Sequence, residues 1–350
     1  MKHAVAAVIL VLTSACQSTP DTPMDTPLTS DDAVERAVGI KGVRYVMSSV
    51  SDIDRTLDFY QQSVNFDLVK RYQIDATQYD ASLLQAAKGP ADVALIKTPT
   101  VYIKLVDFNL DSSEPGQSRA IIGPGYTHIC FQSHVDNSAF ERFRQSGLKV
   151  ITRGGEPADR GYGTAYAYGT DLDGTMIELE VQENPRRNET DWIGHVANAT
   201  PDLERMLKFY EMLLGYPTLN RAAISNSAWA DSVGDIDGLE MQGGWSVVAN
   251  LGLEFWQFDS PKTPERNAPA TLDAIGYNYV AFEVGDLDSE IVRLSGEGVT
   301  FAGSPINEQG WKIAFGYDPD GTLFSLQQNV SAARTESIDD LLWIDRSKLP

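Results

Sequence analysis

His195 and Glu254 stand where an earlier stretch of the same chain has Tyr45 and Lys104. Both substitutions fall at an offset of 150 residues, the offset at which Leu57-Asp58-Phe59-Tyr60 recurs as Leu207-Lys208-Phe209-Tyr210. Imidazole and carboxylate are common protein donors for divalent metal ions, and a tyrosine with a lysine offers no such set. The copies therefore share a frame and differ in chemistry. A repeat obliges each copy to build the same supersecondary unit. The substitutions within it mark where chemistry can live.

The elements that must position these residues follow from periodicity. A strand is expected over 43–50, then a helix with Asp52 as N-cap and Ile53, Leu57, Tyr60 and Val64 on one face. Its copy sets Leu203, Met206, Leu207, Tyr210, Leu213 and Leu214 at helical spacing and stops at Gly215, whose counterpart is Asn65. Glycine and asparagine tolerate the left-handed conformation that closes many helices. Each half also repeats within itself. Tyr126-Thr127-His128-Ile129-Cys130-Phe131 aligns with Tyr277-Asn278-Tyr279-Val280-Ala281-Phe282, and helices carrying Phe140 and Ile291 follow. The turns Asp171-Leu172-Asp173-Gly174 and Asp318-Pro319-Asp320-Gly321 then lead into strands over 176–181 and 323–328. Four modules result, each reading strand, helix and about three strands.

Segments 107–125 and 259–275 join modules within a half, and 181–191 joins the halves. The expected division is 1–16 as a leader, 17–37 as a tether, 38–182 and 190–330 as two domains, and 331–350 as an acidic tail on the surface.

Length and composition suit a two-domain globular protein of 350 residues. A formal charge of −21 without a basic stripe argues against nucleic-acid binding. Lys2 and the apolar run 4–12 read as a signal peptide too short to span a bilayer. The run ends in Thr13-Ser14-Ala15-Cys16, which resembles the lipobox of bacterial lipoproteins, with Thr13 where leucine is usual. That resemblance implies a lipidated Cys16 and an exported protein anchored at the membrane, facing the periplasm, on a stalk rich in Thr, Pro, Ser and Asp. An ordinary secretory peptide is the alternative. With Cys16 lipidated, Cys130 has no intramolecular disulfide partner, and its apolar string reads as a small buried hydrophobe.

Taken together, Asp52-Ile53-(x)3-Leu57-(x)-Phe59-Tyr60, its copy Asp202-Leu203-(x)3-Leu207-(x)-Phe209-Tyr210, and the Asp-x-Asp-Gly-(x)3-Glu-Leu ending over 171–179 resemble the vicinal oxygen chelate superfamily, over about residues 40–330. That superfamily includes glyoxalase I, bleomycin-resistance proteins and extradiol dioxygenases. The resemblance implies an α+β fold of four βαβββ modules forming two metal-binding cups, with modules paired 1 with 4 and 2 with 3 as in fused, double-length glyoxalases. Each module can offer a ligand from its first strand and another from its last. Modules 2 and 3 carry His128 with Glu178 and His195 with Glu254; modules 1 and 4 carry Tyr45 with Lys104 and Tyr279 with Ser325. Under that pairing the resemblance implies one divalent ion (Zn, Ni, Fe or Mn) held by His128, Glu178, His195 and Glu254, beside a degenerate second cup. Pairing within halves would instead split the four residues between cups.

A single histidine in a strand is ordinarily a satisfied core residue. Here, apart from His3, only His128, His134 and His195 occur, and two of them fall at the superfamily's ligand position with a glutamate at the paired one. The implied activity is a glyoxalase I-like lyase or isomerase acting on a small substrate with vicinal oxygens, with Glu178 or Glu254 shuttling the proton through an enediolate-type intermediate. An extradiol-type dioxygenase and a non-catalytic small-molecule-binding lipoprotein are the alternatives. Arg71 and Arg221, repeated on second strands, read as anion contacts or as solvated strand ends. Internal pairing of four modules makes a monomer the default.

Overall fold

The computed structural model describes residues 39–64, 66–110, 120–185, 191–215, 217–332 and 336–344. The leader, Cys16, the tether and Asn65 lie outside the described residues. Among the described residues no helix is long and apolar enough to cross a membrane.

The first module comprises β1 (Ile40–Ser49), α1 (Ile53–Ser63), β2 (Asp67–Asp75), β3 (Pro90–Lys97) and β4 (Tyr102–Asp107). The second has β5 (Gly125–His134), α2 (Ala139–Gln145), the short β6 (Lys149–Val150) and β7 (Ala158–Gly161), then β8 (Thr164–Thr170) and β9 (Met176–Gln182). The third has β10 (Asp191–Ala199), α3 (Leu203–Leu214), β11 (Asn220–Ile224), an inserted α4 (Ala228–Gly234), β12 (Glu240–Val248) and β13 (Leu251–Ser260). The fourth has β14 (Gly276–Val284), α5 (Leu287–Gly296), β15 (Phe301–Glu308), β16 (Trp311–Tyr317) and β17 (Leu323–Asn329).

Local chemistry sets the helix ends. Asp52 and Asp202 cap α1 and α3 by accepting from the backbone N–H of Arg55 and Arg205, which satisfies donors the first turn leaves free. Gly215 closes α3 at φ 79°, where a Cβ would be strained. The faces that bury Leu57 and Tyr60, or Leu207 and Tyr210, are the ones their spacing requires.

The strands form two sheets, in the orders β15-β16-β17-β14-β1-β4-β3-β2 and β11-β12-β13-β10-β5-β9-β8-β6. Modules 1 and 4 thus share one sheet, and modules 2 and 3 share the other. In each, the two first strands pair antiparallel at the centre and each last strand lies parallel beside its own first strand. The helices join modules of the same half: Phe59 of α1 meets Phe143 of α2 at 5.7 Å between ring centroids, and Arg293 of α5 donates to the last carbonyls of α3. One large apolar cluster, with Leu57, Ile129, Leu207 and Phe282, draws on both sheets and their helices. Smaller clusters fill the cup of each sheet.

The described residues 336–344 depart from the expected surface tail. Ile338 is fully buried and its N–H donates to Glu283, while Glu336 pairs with Arg44 of β1. An apolar Ile-x-x-Leu inside an acidic stretch gives that segment a face to bury, and it closes over the sheet of modules 1 and 4.

Candidate metal centre

Strand register brings the four predicted ligands together. Across β13-β10-β5-β9, one row reads Glu254, Ala197, His128, Met176 and the neighbouring row Gly252, His195, Cys130, Glu178. Side chains two residues apart share a face of a strand, so the two rows project into one cup. Strand alternation separates the two faces: Ile177, Leu179, Leu253 and Phe255 point into the large core, and Met176, Trp256 and Tyr168 line the cup.

In that cup His195 Nε2 lies 2.9 Å from Glu178 Oε2 and 3.3 Å from Glu254 Oε2, while His128 Nε2 lies 3.6 Å from each carboxylate. Donors bonded at ~2.1 Å to a common ion stand roughly 3–3.5 Å apart, so these spacings are those of a divalent site. Two neutral imidazoles and two carboxylates also balance the ion's charge. His128 Nε2, Glu178 Oε2 and His195 Nε2 are buried and make no well-angled hydrogen bond. Buried polar atoms are otherwise nearly always satisfied, and an ion would satisfy all three.

The electrostatics fit the same arrangement. Burial opposes the charged form of both imidazoles. Nevertheless the neighbouring carboxylates raise His128, and Cys130, Glu254 and Glu178 hold His195 well above its ordinary value. Burial likewise opposes the carboxylates, but the histidines draw Glu178 well below the usual range and Glu254 down to about 2. These directions favour paired imidazoles and carboxylates, whose protons a bound metal would displace.

Several neighbours were not legible as functional from sequence. Trp245 donates its indole N–H to Glu254 Oε1 at 2.8 Å, and Thr127 Oγ1 meets His128 Nδ1 at 3.0 Å. Each fixes a candidate ligand from the side away from the cup centre, a role that metal sites commonly require. Cys130, a buried residue as expected, also faces the cup, with its sulfur grouped with Glu178 and His195. Burial, then Glu178, push its thiol pKa well up.

Other candidates fall elsewhere. His134 caps a one-turn helix outside the cup, accepting from Asp136 N–H. Arg71 and Arg221 pair with Asp54 and Glu204 at exposed positions, which is the solvated strand end and not an anion pocket.

That other cup is filled by its own side chains. Tyr45 and Tyr279 hydroxyls meet at 2.9 Å, and Gln327 Nε2 donates to Tyr45 at 2.6 Å and to Ser325 at 2.9 Å. Lys104 forms an ion pair with Glu308 of β15, whose other donors are Tyr72 at 2.9 Å and Tyr79 at 2.8 Å. Arg44 stacks 3.7 Å over Trp311. Among the described residues, groups of His, Cys, Asp and Glu close enough for an ion occur only in the cup of modules 2 and 3.

Comparison with known proteins agrees with this architecture. A family model described as Glyoxalase/Bleomycin resistance protein/Dioxygenase superfamily matches residues 42–179 and 192–326. A lactoylglutathione lyase of Arabidopsis thaliana is 27% identical over 286 residues, covering 81% of this chain and 90% of that protein. A lactoylglutathione lyase of Schizosaccharomyces pombe is 23% identical over 292 residues, covering 79% and 93%. The crystal structure of glyoxalase I from Zea mays superposes with a TM-score of 0.57 at 20% identity, over 82% of this chain and 92% of that one, a likeness of fold.

Proposed function

The chain belongs to the Glyoxalase/Bleomycin resistance protein/Dioxygenase superfamily, and we propose that within it this protein is a metal-dependent lyase of the glyoxalase I type. The observation that carries the reading is the convergence of His128, Glu178, His195 and Glu254 on one cup with three buried donor atoms unsatisfied. The names of its relatives point to the same reaction class.

His128, Glu178, His195 and Glu254 would hold the ion, which when bound would supply a Lewis acid for a substrate with two neighbouring oxygens. A carboxylate of the Glu178–Glu254 pair takes the proton from the carbon beside the substrate carbonyl and returns it to the adjacent carbon. Trp245 keeps Glu254 from swinging freely, and Thr127 orients the His128 ring. Tyr168, Trp256 and Met176 wall the cup and exclude water from it.

The test is an isomerisation assay on the hemithioacetal of a 2-oxoaldehyde and a thiol, following thioester absorbance with each divalent ion in turn. The expected result is turnover that falls by about 10²–10⁴ in Glu178→Gln and Glu254→Gln. Binding of the ion with no turnover on any 2-oxoaldehyde adduct would sink the activity.

A second reading has one observation in its favour. His128, His195 and Glu254 have donor atoms within 4.8 Å of one another, a two-histidine, one-carboxylate set of the kind ferrous oxygenases use. Glu178, 2.9 Å from His195, argues against it. Oxygen uptake on catechols separates the two.

The exported, lipid-anchored address is part of the same proposal, and it rests on Thr13-Ser14-Ala15-Cys16. It is tested by fatty-acid labelling that Cys16→Ala abolishes. Membrane attachment through that anchor alone and a monomeric state complete the proposal; light scattering of the released protein tests the latter.

A further inference from the structure

We propose that Cys130 is a fifth donor of this centre, a sulfur ligand that biases the site toward thiophilic ions. The proposal rests on the reading that the four His and Glu residues hold a metal, and it adds to that reading a residue from the strand between them.

Register carries the argument. Cys130 lies directly between His195 of β10 and Glu178 of β9 in one row of the sheet. Neighbours in such a row stand ~4.5–5.5 Å apart at Cα and project to the same side. Its Sγ, a carboxylate oxygen of Glu178 and a ring nitrogen of His195 all lie within 4.8 Å of one another. Glu178 Oε2 and His195 Nε2, 2.9 Å apart, are buried without a well-angled hydrogen bond, so the two residues that Cys130 faces already offer donors to an ion. Around the sulfur stand the His195 ring, with which it interacts, and the Glu180 carboxylate. Glu180 Oε2 is 3.9 Å away and already accepts from Gln132 at 2.5 Å.

The internal repeats sharpen the point. Cys130 follows His128 by two residues, and the positions that follow His195, Tyr45 and Tyr279 by two are Ala197, Met47 and Ala281. The fold therefore does not need a thiol at this place, and the cysteine occurs only in the module pair that carries a ligand set. Binding forms a metal–sulfur bond while the S–H proton leaves to buffer; no electron is transferred. Thiolate is a soft donor that Zn²⁺, Cd²⁺ and Co²⁺ accept far better than Mg²⁺ or Mn²⁺.

The test loads the full chain with Co²⁺ and records metal content together with the near-ultraviolet spectrum, where a thiolate–cobalt bond gives an intense charge-transfer band. The expected result is one cobalt per chain with that band. The band is lost in Cys130→Ala and kept in Cys16→Ser, and Cys130→Ala weakens Cd²⁺ binding at least 10-fold while changing Mn²⁺ binding less than about 3-fold. Alanine at the equivalent positions 197 and 281 shows that the sheet accepts the replacement. One bound cobalt without the band in the wild-type chain overturns the sulfur ligand and leaves the four-residue site standing. No bound cobalt overturns both.

Discussion

Replacing Lys104 by methionine is expected to destabilise the protein although Lys104 takes no part in the proposed chemistry. The Lys104 and Glu308 side chains are 2% and 6% exposed, so solvent screens the pair very little. Burial works against the Lys104 charge, but Glu308 holds its pKa well above the ordinary value. Burial also works against the Glu308 charge, but Lys104 and two tyrosine hydroxyls hold its pKa low. Methionine matches the lysine stem and removes only the ammonium, leaving a carboxylate in the cup with Tyr72 and Tyr79 as its remaining partners. Breaking a buried pair in this way costs about 3–5 kcal/mol. For a chain of this size that corresponds to a fall in melting temperature of roughly 4–8 °C.

The double variant Lys104→Met/Glu308→Gln removes the stranded charge, its amide oxygen accepting from one tyrosine and its NH2 donating to the other hydroxyl, and it is expected to recover most of the loss. The pH dependence follows from the direction of the shift. In the wild type Glu308 is depressed, so its contribution is present above its unfolded pKa and is lost as pH falls through the lower folded value. In Lys104→Met burial is opposed only by the two tyrosine hydroxyls and the folded value rises, so the single variant is penalised most at neutral pH and approaches the wild type in acid. Urea titrations followed by tryptophan fluorescence at two pH values measure all three proteins. A single variant that loses less than about 1 kcal/mol, or a double variant no better than the single, would refute the account of this cup as a filled, charge-paired one.

Saturating the centre at ~100 times its dissociation constant should raise stability by about 2.7 kcal/mol; thermal melts with and without Zn²⁺ should show the gain in the wild type and none in His128→Ala/His195→Ala. Trp245→Phe, which frees Glu254 Oε1, should weaken metal binding about 10–100-fold by calorimetry, and an unchanged affinity would remove the indole from the support of the site. His195 is raised well above its usual value, which favours its protonated form when no ion is bound. Metal binding should therefore release protons and weaken as pH falls, which calorimetry in two buffers of different ionisation enthalpy detects; identical heats would contradict it. In the metal-free protein, the His195 contribution to stability is fully present below its unfolded pKa and fades as pH rises through the folded one. That of Glu254 is instead lost as pH falls toward about 2.

Much of this protein is legible along the chain. The offset of 150 residues, the caps Asp52 and Asp202, the stop at Gly215 and the Asp-Gly turns at 171–174 and 318–321 are local signals, because helix ends and turns are decided by residues a few positions apart. The histidines and glutamates are equally legible, since their types and their places in the repeat single them out. What the sequence left open was which strands lie side by side. The central pairs β1·β14 and β5·β10 join segments far apart in the chain, and no local periodicity states that register. Tertiary structure alone sets His195 opposite Cys130 and beside Glu178, gives Lys104 its partner Glu308 from another module, and packs Ile338 against the sheet of modules 1 and 4. Donor chemistry is a property of residues and can be read singly, whereas a site is a set of distances, and those exist only once non-local strand pairing has closed the cups.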